Sequence, residues 1–160
     1  MIRLIRTDSE NKDFIRLVKD LDAYLAVSDG EEHSFYSQFN KIDLIRHVVV
    51  AYHNNFAISC GAIKQYDPKI MEIKRMFTTS NYRGQGTAGL ILVELENWAK
   101  EMGFEKCILE TGNRQSEAIG LYKKSGYGII PNYGQYAGIE NSVCFMKELK
   151  ELRTAKIKKK

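Results

Sequence analysis

The segment RGQGTAG (Arg83–Gly89) constrains the fold most, because it joins two patterns of different period. Before it, IMEIKRMFTT (Ile70–Thr79) reads as a strand. After it, Ala88, Ile91, Leu95, Trp98 and Met102 share one face of a helix that Gly103 stops. The next β run is KCILET (Lys106–Thr111), so strand, glycine loop, helix and strand make one βαβ unit with parallel strands. Upstream, HVVVAY (His47–Tyr52) and FAISCGAIKQY (Phe56–Tyr66) flank the hairpin turn His53-Asn54-Asn55, and Asp67-Pro68 turns the chain into Ile70–Thr79. Those three strands form an antiparallel meander. A chain that holds both units must build a mixed sheet.

The remaining elements extend that sheet. Met1–Arg6 alternates like a short strand, and Phe14, Leu17, Val18, Leu21 and Leu25 share a helical face that ends at Gly30. A second, shorter helix is expected in Glu31–Asn40. Ser116 is placed to cap a helix, EAIGLYKKS, that Gly126 ends, and YGII and SVCFMKEL (Ser142–Leu149) supply the last strands. The expected class is α/β (α+β), with a mixed, mostly antiparallel sheet of about seven strands flanked by about four helices. No repeat or linker interrupts residues 1–149, which read as one domain followed by a basic tail, 150–160.

Charge and cysteine content narrow the function. The net charge is +4, but six basic residues and one acidic lie in Lys150–Lys160, which leaves residues 1–149 at about −1. The basic character belongs to a solvated tail, so nucleic acid is not expected as a partner of the globular part. A nucleic-acid binder acting through the lysine tail would instead show steeply salt-dependent binding. Cys60, Cys107 and Cys144 are odd in number, far apart and set in apolar runs, as buried reduced thiols are. No C-x-x-C or H-x-x-x-H spacing occurs, so no metal site is expected. No stretch approaches the ~18 apolar residues of a membrane span, and MIRLIRTDSENKD lacks a signal-peptide core. A cytoplasmic protein with no membrane partner is expected, and a homodimer is compatible with these features.

RGQGTAG admits two ligands. As Gly84-x-Gly86-x-x-Gly89, with Glu110 downstream, it matches a dinucleotide-binding fingerprint. That fold runs an apolar strand directly into the first glycine, whereas Ser80-Asn81-Tyr82-Arg83 intervene here. It also opens on the fingerprint rather than after a meander, and needs more chain than the fifty residues after Glu110. A P-loop is excluded, since no Gly-Lys-Ser/Thr follows. Common to both readings is an anion site: glycines admit close backbone approach, free helix N–H groups point into the loop, and Arg83 adds a cation. A pyrophosphate is the expected anion.

The segment Met71–Ile130, with a strand ending in Met76-Phe77-Thr78, R-G-x-G-x-A opening a helix, and then E-A-I-x-L-Y-K-K-S-G-Y, resembles the GNAT superfamily of acyl-CoA-dependent N-acetyltransferases. Its ETG-x-x-Q-x-E-A-I-x-L-Y variant is similar to the superfamily's small-molecule acetyltransferases. The resemblance implies a splayed parallel strand pair that receives the thioester of acetyl-CoA, used as a co-substrate without metal. Arg83, Gly84, Gln85, Gly86, Thr87 and Ala88 would hold the pyrophosphate through backbone N–H groups. The main chain of Met76, Phe77 and Thr78 would pair with the pantetheine arm. Tyr122 occupies the family's tyrosine position, as general acid toward the departing thiolate. The family often has Asn seven residues before that tyrosine; Gln115 stands there, with Asn113 nearby, and either reaches the arm in this reading.

Acyl transfer to an amine needs a neutral amine, a polarised carbonyl and a protonated leaving group. A phenol of pKa ~10 can protonate a thiolate near ~8.5–9, and the Phe77 N–H is a candidate oxyanion donor. Glu72, on the strand lining the site, is the candidate base. The alternative for it is a sheet-face carboxylate paired with Lys74 or Arg75. His33 and His47 are bases by chemistry alone. Tyr36, Phe39, Tyr133 and Tyr136 would shape a pocket for the partner, a small-molecule amine or an amino acid. Two other readings stand beside this one: a peptide or protein N-acetyltransferase, which would need a wide acidic groove, and a non-catalytic acyl-CoA sensor.

Overall fold

The computed structural model describes residues 1–29 and 45–150. Seven strands form one sheet: β1 (Ile2–Thr7), β2 (His47–His53), β3 (Phe56–Asp67), β4 (Ile70–Thr78), β5 (Lys106–Gly112), β6 (Gly128–Ile130) and β7 (Ser142–Glu148). Their order is β1-β2-β3-β4-β5-β7-β6. Every neighbouring pair is antiparallel except β4 and β5. The meander and the βαβ unit therefore share β4, as the sequence patterns require. Three α-helices are described: α1 (Lys12–Asp29), α2 (Thr87–Glu101) and α3 (Ser116–Lys124). The helix expected in Glu31–Asn40 lies outside the described residues, as does the chain beyond Lys150. Among the described residues, no helix is long and apolar enough to cross a membrane.

The sheet is the middle layer. α1 starts after Asn11, whose side-chain oxygen accepts the Phe14 N–H at 2.9 Å as a helix cap. It buries Phe14, Leu17 and Val18 against Val48, Val50, Cys60 and Ala62. On the other face, Ile91, Leu92, Leu95 and Ala99 of α2 pack with Val49, Ile63, Met71, Leu109 and Phe145, joined by Tyr122 of α3. Side chains alternate along a strand, so Val48 and Val50 meet one helix layer while Val49 meets the other. Ser116 is the first helical residue of α3 rather than its cap. Gln115 holds the cap position without a side-chain capping hydrogen bond, and its carbonyl accepts the Ile119 N–H at 3.0 Å.

Two irregularities in β4 position the site. Its pairing with β5 joins Ile70 to Lys106, Met71 to Cys107 and Glu72 to Ile108, and then stops. Both strands continue, to Thr78 and Gly112, so their ends part and leave a free strand edge. On the β3 side, Gly61 faces two residues, Arg75 and Met76, between the pairs Ala62–Lys74 and Cys60–Phe77. This is a β-bulge, with Arg75 at φ +57°. Gly61 is needed there, because a Cβ would lie 2.4 Å from Met76 Sδ and 2.8 Å from Ile91 Cγ2. The buried Arg75 guanidinium pairs with Asp22 of α1, which ties the bulge to the helix covering it.

Candidate active site

The parted strands open into a cleft of about 550 Å³ that runs from the glycine loop to the α1 face of the sheet. At the loop, Gly84 and Gly86 take φ +77° and +85°, a conformation that costs other residues about 1–2 kcal/mol. A Cβ on either would meet nothing within 4 Å. Conformation demands glycine at both, and bare backbone lines the cleft. α2 starts at Thr87 with no side-chain cap from Gly86, so no capping side chain claims the N–H groups of its first turn. Gly86, Thr87, Ala88 and Gly89 line the cleft, which puts the positive end of the α2 dipole against it.

Arg83 reaches back from this loop. Its Nε donates to the Thr78 carbonyl at 2.8 Å, and its guanidinium lies 5.1 Å from the Tyr24 ring centroid and 5.5 Å from that of Phe77. One side chain thus connects the loop, the end of β4 and α1. Ser59 Oγ donates to the Phe77 carbonyl at 2.9 Å on the β3 side. The opposite edge of β4, beyond Glu72, has lost β5 as a partner, and its main-chain polar groups border the cleft. An open glycine cradle, an uncapped helix start and a free strand edge fit a pyrophosphate followed by an amide-bearing arm.

Tyr122 of α3 lines the same cleft, with its ring against Tyr127 and Phe145, each at 5.9 Å. Burial, and then the negative charge of Glu110, push its phenol well above the ordinary 10. The hydroxyl therefore keeps its proton at any working pH.

The α1 side of the cleft is charged. Glu72 Oε2 accepts the Tyr133 hydroxyl at 2.7 Å and lies 4.0 Å from Lys74 Nζ. Burial holds the Lys74 ammonium below its ordinary range, against the opposing pull of Glu72 and Glu110. Burial and the Glu72 charge push the Tyr133 phenol upward. Glu110 reaches this face because Glu72 pairs with Ile108, two residues before it on β5. Tyr136 is buried, with its ring 5.7 Å from that of Tyr133.

Of the residues singled out from sequence, the cleft brings together Glu72, Met76, Phe77, Thr78, Arg83, Gly84, Gly86, Thr87, Ala88, Gln115, Tyr122 and Tyr136. Gln85 is exposed and turned toward the Asn81 carbonyl. Asn113 is exposed, with its side chain on Asn141. Tyr133 stands behind the lining, on Glu72. Tyr36, Phe39 and His33 lie outside the described residues, and His47 packs edge-on against Trp98. The sequence reading did not identify Glu110, Lys74, Arg75 and Tyr24 as parts of the site. Period-two alternation from Ile108 points to Glu110, and helical spacing from Leu21 points to Tyr24.

Known proteins share this architecture. An IAA acetyltransferase of Azospirillum brasilense is 29% identical over 126 residues, 76% of this chain and 81% of that protein. A crystal structure from Klebsiella pneumoniae, of a protein assigned as an acyl-CoA N-acyltransferase, superposes with a TM-score of 0.79 at 26% identity. That match covers 94% of this chain and 99% of the other. A GNAT family acetyltransferase from Elizabethkingia anophelis, solved with acetyl-CoA bound, has the same fold at a TM-score of 0.65 and 20% identity, covering 92% and 98% of the two chains. The model of the Acetyltransferase (GNAT) family matches residues 14–127, which take in most of α1, the bulged and splayed β4, the glycine loop and Tyr122. The chain belongs to the GNAT family of acetyltransferases and is an acyltransferase enzyme.

Proposed function

We propose that the protein transfers the acetyl group of acetyl-CoA to a primary amine of a small molecule or amino acid, by direct attack within a ternary complex. The observation that carries this reading is the continuity of one cleft: the glycine loop, the free edge of β4 and Tyr122 line it together with Glu72, Lys74, Glu110 and Tyr136. Backbone N–H groups of Arg83–Ala88 hold the pyrophosphate. The edge Met76–Thr78 takes the amide arm as an added strand would be taken. Gln115 lines the cleft, so it meets that arm in preference to Asn113. Bound acetyl-CoA supplies the activated acyl group.

This chain's own groups do the rest. Phe77 turns its main chain toward β3, so an N–H of the free β4 edge, in its place, stabilises negative charge on the carbonyl oxygen. Tyr122 holds a proton at its phenol oxygen for the leaving sulfur; the burial that raises the phenol also disfavours a bare thiolate beside it. Glu72, oriented by the Tyr133 hydroxyl, takes the amine's proton. Holding both reactants in one cleft supplies much of the rate. The name of the Azospirillum relative supports a small-molecule acceptor. The same reading has residues 1–149 as one catalytic domain working in the cytoplasm, with 150–160 as a basic tail.

The test is thermal unfolding with acetyl-CoA, CoA and NAD in parallel, followed by amine-dependent thiol release. A ligand at about 100 times its Kd adds about 2.7 kcal/mol, a rise of several degrees in Tm. Stabilisation by both CoA species and not by NAD is expected. Stabilisation by NAD alone refutes the loop assignment.

A further inference from the structure

The α1 side of the cleft carries more charge than a plain amine needs. Glu72 and Glu110 suffice to receive an ammonium, yet Lys74 and Arg75 line the same space, only 9% and 5% exposed. Arg75 directs Nη2 to Asp22, while its Nε–H is buried with no hydrogen-bond partner among the described residues. A buried guanidinium N–H without an acceptor is uncommon, because the lost hydration is not replaced. The bulge is what gathers these cations. Lys74 pairs with Ala62, whose face is covered by α1, and the extra residue at Arg75 keeps the next side chain on that face, against Asp22.

We propose that the acceptor is an amino carboxylate, a free amino acid or close analogue, whose amine is directed to Glu72 and Glu110 and whose carboxylate is received by the Arg75 Nε–H and Lys74. This rests on the acetyl-transfer reading above. Lys74 already lies 4.0 Å from Glu72, so an amine alone would add an uncompensated cation beside that pair, whereas a zwitterion brings its own anion with it. Same-face residues on a strand are about 7 Å apart, so Glu72 and the Lys74–Arg75 pair suit charges separated by a few ångströms rather than the ends of a long chain. A hydrogen bond between charged groups in a dry site gives strong discrimination against an analogue that lacks one partner.

The experiment measures thiol release from acetyl-CoA by the full chain, with matched acceptors: tyrosine against tyramine and lysine against cadaverine. The carboxylate-bearing member is expected to have kcat/KM higher by on the order of ten- to a hundredfold. Arg75 supports the bulge, so Lys74→Met is the variant of choice, and in it the preference should fall within about threefold. Equal or better use of the decarboxylated amines overturns the acceptor assignment and leaves the transferase reading standing. A preference undiminished in Lys74→Met overturns the role of Lys74. If acetyl-CoA stabilises the protein but neither member of any pair is used, the acceptor assignment falls alone. If acetyl-CoA does not bind, both fall.

Discussion

Gly86 and Gly103 bracket α2 and make a matched pair for testing the loop. Both are left-handed, at φ +85° and +92°, and a Cβ on either meets nothing within 4 Å. Alanine at either position is strained by about 1–2 kcal/mol, which for a chain of this size lowers Tm by about 2–8 °C. Their positions differ. Gly86 lines the cleft, whereas Gly103 follows the last turn of α2 and is no part of it. In Gly86→Ala the methyl enters the cradle and displaces N–H contacts to a bound anion, each worth about 1.5–3 kcal/mol. Calorimetric titration should then show acetyl-CoA binding weakened roughly ten- to a hundredfold in Gly86→Ala and by less than about twofold in Gly103→Ala. The two losses in Tm should be alike. Equal effects on binding would mean that the loop is only a tight turn, and the site assignment built on it would fail.

Four further outcomes follow from the structure. Tyr122→Phe removes only a buried hydroxyl and should lower kcat by about 10²-fold or more while acetyl-CoA affinity stays within about threefold; a kcat within twofold sinks the general-acid role. Gly61→Ala drives a Cβ into Met76 Sδ and Ile91 Cγ2, an overpacking of about 1–3 kcal/mol, and an unchanged Tm would contradict that close approach. Burial pushes the Cys60 and Cys107 thiols to about 12 and Cys144 to about 11, so at pH 8 a disulfide reagent should label the native protein only as fast as it opens; prompt labelling of all three refutes their burial. Burial, and then Arg46, hold His47 below its ordinary 6.5, so the unfolded chain binds the extra proton more readily: the stability from neutral His47 is present above pH 6.5 and is lost as pH falls through the depressed folded value, and His47→Gln should flatten the Tm profile there.

The sheet was legible because its signals are local. Runs such as Val48–Val50 and turns such as Asn54-Asn55 each decide one element, and RGQGTAG decides how two of them join. The glycine loop and its anion site were legible in the residues themselves, whereas the splay and the identity of the bound cofactor followed from family resemblance rather than from periodicity. The acceptor side was less legible, because its groups come from α1, β4, β5 and the loop before β7. Glu110 stands 38 positions from Glu72 and meets it through the parallel register alone. Arg75 entered the sequence reading only as a candidate partner of Glu72, since nothing in MEIKRMF signals that the strand bulges at that residue and sends it to Asp22 instead. Tyr133 was legible as an aromatic near the site, but its contact with Glu72 depends on how the loop folds back.

The bulge at Arg75 also divides β4 into two stretches that keep separate count of the faces. Upstream, Glu72 and Lys74 point to the α1 side; downstream, Phe77 does, while Met76 is seated beneath Ile91. Deleting one residue there would reverse Met76–Thr78 and expel Met76 from its seat under α2. Conversely, as long as the extra residue is kept, side chains upstream can be exchanged without altering the main-chain edge downstream. On the proposed reading, exchanges upstream of the bulge would alter acceptor preference and leave the edge that takes the acyl donor as it is.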